Sequence, residues 1–246
     1  MDVEGYWCDG NWIAPEADLF DADLRGASLC GADLFGAYLS GADLVAANLL
    51  TADLTGAYLS KTDLVGANLG WVFLVTADLE KADLAATNLY AACLDGACLR
   101  EACLEGTNLA FASLREANLR SANLRGANLY HTDFRCADLS GAKAAGANFR
   151  WASLRGANFS DADLTDANFV GADLFGANFS GANLDSANLV SANLSGIVSN
   201  AETLWPDEAA LWDPDDSVEE ARWALQAAWE RVERKQGNEE QVKRAA

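Results

Sequence analysis

The sequence predicts a solenoid, a rod of stacked short-sided coils around a column of leucine and alanine. Two observations carry this. Leucine or phenylalanine occupies every fifth position from Leu19 to Leu194, Ala144 excepted, and alanine sits two places before it except at Thr62, Val72, Thr87, Thr107 and Thr132. A period of five fits neither a helix, at 3.6 residues, nor a strand, at 2.0. A second period, of twenty, overlies the first. Asn48, Asn68, Asn88, Asn108, Asn128, Asn148, Asn168 and Asn188 form one unbroken series, Asp23, Asp43, Asp63 and Asp83 a second, and Arg115, Arg135 and Arg155 a third.

The five-residue unit follows from side-chain size. One position takes only small residues and another only large apolar ones, so both face inward. The remaining three accept Asp, Arg, Tyr, Ser and Gly, so they face solvent. Each side is too short to bury its own leucine, and stacked coils bury a continuous column instead. Asparagines stacked at the same place in successive coils bond one another along the rod.

The units Ala-Asp-Leu-x-Gly and Ala-Asn-Leu-x-x resemble the pentapeptide-repeat family over about residues 17–196. The resemblance implies an all-β fold, a right-handed quadrilateral β-helix with four units per coil. The 36 consecutive units then make nine coils, a rod roughly 43 Å long at about 4.8 Å per coil.

A solenoid has two raw ends that must be covered. Residues 1–16 place Tyr6, Trp7, Trp12 and Ile13 around the turn signal Asp9-Gly10, which predicts an N-terminal cap. The register breaks after Gly196, so residues 197–246 are a separate C-terminal segment. Ser217 and Glu220 form a capping box ahead of a helix over about 217–235. Leu225, Trp229 and Val232 lie on its apolar stripe. Such a helix covers the last coil or joins two copies. In some relatives helices here mediate dimerisation, as the resemblance implies.

The period of twenty assigns every outward residue to one of four sides. The side with the asparagine series also carries Trp71, Tyr90, Phe111, Tyr130, His131 and Trp151. It has no acidic residue and one base, Arg150. Exposed aromatics in a contiguous strip suit a protein partner or a second copy. The alternative is a stack that only stabilises the ladder.

The whole chain has a formal net charge of −20. Residues 18–98 hold eleven acids and three bases; residues 99–196 hold ten acids and eight bases. The acidic sides are represented by Asp23, Asp43, Asp63 and Asp83, with Asp33 and Asp53. Twelve acids occupy the slot just before leucine, where a short side-chain oxygen can accept from a backbone N–H at the turn. Such a field repels nucleic acid and anionic membranes. Arg100, Arg115, Arg120, Arg125, Arg135, Arg150 and Arg155 belt the second half, and neighbouring acids such as Glu101 and Glu116 are expected to balance them.

The chain offers no nucleophile–base pair around its one histidine, His131, no phosphate-binding loop, and a filled interior. It is expected to be non-enzymatic, with no cofactor, metal or small-molecule substrate. Its six cysteines match no metal spacing and suggest free thiols in a reducing cytoplasm. No apolar run is long enough for a membrane span, and the acidic N-terminus is unlike a signal peptide. At Ala144 the column lacks a leucine. Unless Phe149 or a neighbour fills the gap, Ala144→Leu is expected to be neutral or stabilising.

Two functions follow. The resemblance to quinolone-resistance and mycobacterial members implies DNA mimicry, with an acidic rod binding type II topoisomerase where gate DNA lies, in a dimer joined through C-terminal ends. The alternative is an interaction scaffold that binds an unknown partner through the aromatic side.

Overall fold

The N-terminal turn signal makes a hairpin. The computed structural model describes residues 5–8 and 10–206. In it, strand β1 (Tyr6–Cys8) pairs antiparallel with β2 (Asn11–Ile13), in the register Tyr6↔Ile13, Trp7↔Trp12, Cys8↔Asn11. Gly10 lies in the connection at φ 82°, a left-handed value that glycine adopts readily. Ile13 is buried and joins the hydrophobic core, so the hairpin rests on the first coil.

From Glu16 the backbone winds into coils. The Glu16 N–H donates to the Phe35 carbonyl at 2.7 Å. Parallel bridges then link residues twenty apart, Asp23↔Asp43↔Asp63↔Asp83 on one side and Asn48↔Asn68↔Asn88 on the next. Each unit makes three bonds between coils and one within its turn. Around Leu29, its N–H donates to the Asn48 carbonyl (2.8 Å), the Gly31 N–H to the Leu50 carbonyl (2.8 Å), and the Asn48 N–H to the Ala27 carbonyl (2.9 Å). The Ala32 N–H closes the turn on the Leu29 carbonyl at 3.0 Å. Most backbone groups of a side are paired in this way, which is what lets a side of so few residues persist.

The third residue of each turn has positive φ. The sequence predicts glycine or a small residue there. The structure adds bulky ones: Trp71 (φ 57°), Phe111 (φ 63°) and Trp151 (φ 58°), with β-branched Thr51 (φ 59°). This conformation costs an L-residue about 1–2 kcal/mol. The backbone bond to the next coil, such as Trp71 N–H to the Tyr90 carbonyl at 2.9 Å, holds each residue in it.

The core is the leucine–alanine column, with most members wholly buried. Thr62, Thr87, Thr107 and Thr132 stand in alanine positions, also buried. Each hydroxyl donates to a leucine carbonyl 23 residues earlier, as Thr107 Oγ1 does to Leu84 at 2.7 Å. A buried hydroxyl is tolerated when so paired. Phenylalanine replaces leucine at Phe134, Phe149, Phe159, Phe169 and Phe179, all buried. Ala144 shares its coil with Phe149 and Phe159, whose rings meet edge to face at 5.8 Å, and Phe134 approaches Phe149 at 6.1 Å. The missing leucine is thus accompanied by two enlarged neighbours.

Coil-to-coil pairing runs past the register break. Val198 bridges Asn178, and Leu204 bridges Asn183 at a spacing of 21 rather than 20. One added residue therefore shifts the frame without ending the ladder. Trp205 closes the described column, its ring 5.8 Å from that of Phe179. The predicted helix over 217–235, with Leu225, Trp229 and Val232, lies outside the described residues.

Candidate interaction surfaces

The six aspartates predicted to meet a partner do not form one patch. Asp23, Asp43, Asp63 and Asp83 stack on one side. Asp33 and Asp53 stack two units further along the coil, on the opposite side of the rod, and Phe73 follows Asp53 there. Every one of the six accepts from the backbone N–H two residues on: Asp23 from Arg25 (3.3 Å), Asp33 from Phe35 (3.2 Å), Asp43 from Val45 (3.1 Å), Asp53 from Thr55 (2.9 Å), Asp63 from Val65 (3.1 Å) and Asp83 from Ala85 (3.0 Å). One carboxylate oxygen of each is tied to the turn, and at Asp23 the other takes the Arg25 guanidinium at 2.7 Å.

Arginines discharge part of the field. Arg25 donates to Asp23 at 2.8 and 2.7 Å and lies 3.4 Å from Asp43. These side-chain bonds, then the Arg25 backbone N–H, bring the Asp23 carboxyl down to about 2. In the belt, Arg100 pairs with Glu80 and Glu101, Arg115 with Asp95, Arg120 with Asp138, Arg125 with Asp163, Arg135 with Asp133 and Arg155 with Asp173. Glu101 balances the belt as expected, whereas Arg115 turns to Asp95 rather than to adjacent Glu116. Burial raises the Asp95 carboxyl, but bonds from Arg115 and Ser113 outweigh it and leave it below the ordinary range. These are half-exposed pairs, each worth about 1 kcal/mol or less. Arg150 is the one arginine among the described residues without a carboxylate within 4.0 Å.

The aromatic side is a continuous strip. Trp71, Tyr90, Phe111 and Trp151 are exposed, and Tyr130 is half-buried. Ring centroids follow one another at 6.0 Å (Trp71–Tyr90), 5.6 Å (Tyr90–Phe111) and 5.5 Å (Phe111–Tyr130). His131 lies flat between Phe111 and Trp151, at 5.4 and 6.5 Å. It is part of the stack. The Trp151 indole leans over Gly171, where a Cβ would come within 2.4 Å of the ring. Beneath the rings, Asn68, Asn88, Asn108, Asn128 and Asn148 each donate Nδ2 to the Oδ1 of the asparagine one coil earlier, at 2.9–3.1 Å. The ladder thus runs from Asn48 to Asn148. Asn168 and Asn188 keep the turn bond, to the Val170 and Val190 N–H groups at 3.1 Å.

A second exposed group was missed in the sequence. Phe20, Phe35, Tyr38, Tyr58 and Phe73 are exposed near the N-terminal end, with Tyr38 and Tyr58 stacked at 5.1 Å. The period of twenty that places Tyr38 over Tyr58 was a sufficient signal. Among the described residues no three His, Cys, Asp or Glu side chains converge for a metal, and no helix is long and apolar enough to cross a membrane.

A repeating four-sided coil with this unit has a counterpart among known sequences. The model for pentapeptide repeats matches in eight copies, over residues 16–49, 32–70, 74–106, 102–141, 132–169 and 167–197. The chain belongs to the pentapeptide-repeat family. Its β-helix is the right-handed quadrilateral form of that family. Among solved pentapeptide-repeat structures it is similar to HetL, involved in heterocyst differentiation regulation in the cyanobacterium Nostoc sp. strain PCC 7120. The two are 36% identical, over 78% of this chain and 84% of that one, with a TM-score of 0.44. A thylakoid-lumen member from Arabidopsis thaliana is 30% identical, over 44% and 68%, with a TM-score of 0.33. A trypsin-treated variant of QnrB1, a plasmid-mediated fluoroquinolone resistance protein, is 20% identical, over 70% and 89%, with a TM-score of 0.40. No curated protein sequence matches the chain.

Proposed function

We propose that this pentapeptide-repeat chain is a non-enzymatic binding rod of about nine coils, closed by a C-terminal helix, whose acidic half imitates duplex DNA toward a type II topoisomerase in the cytoplasm. The filled core leaves only the outer sides for function. The observation that carries the reading is charge density. Eleven acids fall within residues 18–98, about four coils or roughly 19 Å. With the three bases of the same stretch the net charge is −8, about one charge per 2.4 Å against roughly 1.7 Å per phosphate charge of B-DNA. The Asp23–Asp83 column and the Asp33–Asp53 pair lie on opposite sides, as two phosphate strands do. The thiols of Cys30, Cys93, Cys98, Cys103 and Cys136 are free, which suits a reducing compartment.

The test is a supercoiling titration against a bacterial gyrase, with and without a quinolone. Inhibition or drug protection at micromolar protein is expected, weakening steeply as salt rises. A triple Asp43→Asn, Asp63→Asn, Asp83→Asn chain, which keeps an acceptor for each turn N–H, is expected to lose the effect while keeping its melting temperature. No effect up to tens of micromolar rejects the gyrase tested.

The second reading, a scaffold binding through Trp71, Tyr90, Phe111, Tyr130 and Trp151, is favoured by the exposed acid-free strip. Its binding is expected to survive salt and to fail on Trp71→Ala with Trp151→Ala.

A further inference from the structure

We propose that the aromatic side is a self-association surface, where two copies of this chain pack side by side and antiparallel about a two-fold axis crossing the rod at Phe111. This rests on the reading of the rod as a protein-binding surface and names the occupant of one side.

Charge selects the side. Two rods of net charge −20 repel, and the other three sides all carry carboxylates. Only the aromatic side has no acid. Strain points the same way. Trp71, Phe111, His131 and Trp151 occupy left-handed corner positions at φ 57°, 63°, 56° and 58°. No other side of the rod places an aromatic ring at such a corner. A ring at such a corner bears the cost of the left-handed conformation, which glycine at many other corners avoids.

The order of residues selects the partner. Several large apolar residues of the strip are spaced alike on either side of Phe111, although Ala91 corresponds to His131 and Gly70 to Arg150. Trp71 lies two coils before and Trp151 two coils after. Tyr90 and Tyr130 flank it by one coil each. Leu50 and Val170 flank it by three. In an isologous contact residue i meets j while j meets i, so this spacing sets aromatic residues against aromatic residues. The antiparallel arrangement turns the second rod end for end but keeps each column opposite itself, so rings meet rings. The parallel two-fold would lay the rings of one copy on the asparagine column of the other.

The same operation brings Arg150 opposite Gly70, beside the Trp71 ring of the second copy. Among the described arginines Arg150 is the one without a carboxylate within 4.0 Å, and an indole face is a favourable seat for a guanidinium. The strip is also long: from Cys30 to Val190 is eight coil steps, about 38 Å.

The test is sedimentation of the full chain from about 1 to 100 µM, beside Phe111→Gly and Phe111→Glu. Glycine suits the backbone at residue 111, so the glycine chain keeps its fold, checked by its melting temperature. A dimer for the native chain, with at least tenfold weaker association for both variants, is the expected result. A native chain still monomeric at 100 µM overturns the proposal. So does a dimer unaffected by either variant, since the contact then lies elsewhere. Orientation is read by mixing Trp71→Cys and Trp151→Cys chains under mild oxidation and identifying the linked peptides by mass spectrometry. Links between residues 71 and 151 are expected; links of 71 to 71 overturn the antiparallel arrangement. A monomer that nevertheless inhibits gyrase would reject this inference and leave the proposed function standing.

Discussion

An aspartate in the slot before leucine holds its own turn as well as carrying charge. Its Oδ1 accepts the N–H two residues on, at Asp53 and Asp63 as at Asp23, so asparagine serves the turn equally well. This much was legible in the sequence, because Asp and Asn alternate freely there. What Arg25 adds was not legible, since arginine two places after an aspartate can point anywhere. The structure closes it on Asp23 and holds that carboxyl at about 2. A depressed folded value means the stabilisation is complete above the ordinary carboxylate range and is lost as pH falls through about 2. Arg25→Ala is expected to return the Asp23 titration toward 3.8, measured by carboxyl-carbon NMR. An Asp23 midpoint unchanged in that variant would mean that the backbone bond alone sets it. The bulky corner residues were equally hidden. Glycine marks a positive φ, but Trp71 or Thr51 gives no sign of one, and only the coil-wide register assigns the conformation.

At the scale of one coil, volume is conserved across its four sides rather than at each position. The coil of Ala144 loses a leucine on one side and gains rings at Phe149 and Phe159 on two others. The sequence showed the gap, and it named Phe149 as a candidate to fill it. It could not show how far each ring reaches, because that depends on rotamer and coil width. With Phe149 packed at 5.8 Å from Phe159 and 4.7 Å from Phe169, a fourth large side chain has little room. The expectation from sequence therefore reverses. Ala144→Leu is expected to destabilise by about 1–3 kcal/mol through overpacking, read as a lowered midpoint in thermal denaturation. A raised midpoint would reveal a void. Thr107→Ala tests the core about two coils earlier from the polar side, because it removes the hydroxyl bond to Leu84. A loss of about 1 kcal/mol is expected.

Over the whole rod, stability is a sum of neighbouring contacts, so an end behaves differently from the middle. The hairpin at one end was legible from Asp9-Gly10 and its aromatic flanks. The other end was not, because the period breaks at Gly196 while the pairing continues to Leu204 with one residue added. A sequence register cannot carry an insertion that the backbone absorbs. There the Trp205 ring covers Phe179, and its indole N–H is buried without a hydrogen-bond partner among the described residues. The ring contributes by area while the N–H costs, and the two can be separated. Trp205→Ala is expected to raise amide exchange at Val198 and Leu204 by tenfold or more, since both bond the preceding coil. It should leave the Asn108 amide, mid-rod, unchanged. Trp205→Phe keeps a ring and removes the unpaired donor, and is expected to retain native exchange at both ends. If Trp205→Ala instead accelerates exchange at Asn108 as well, the rod unfolds as one cooperative unit and the nearest-neighbour description fails for it.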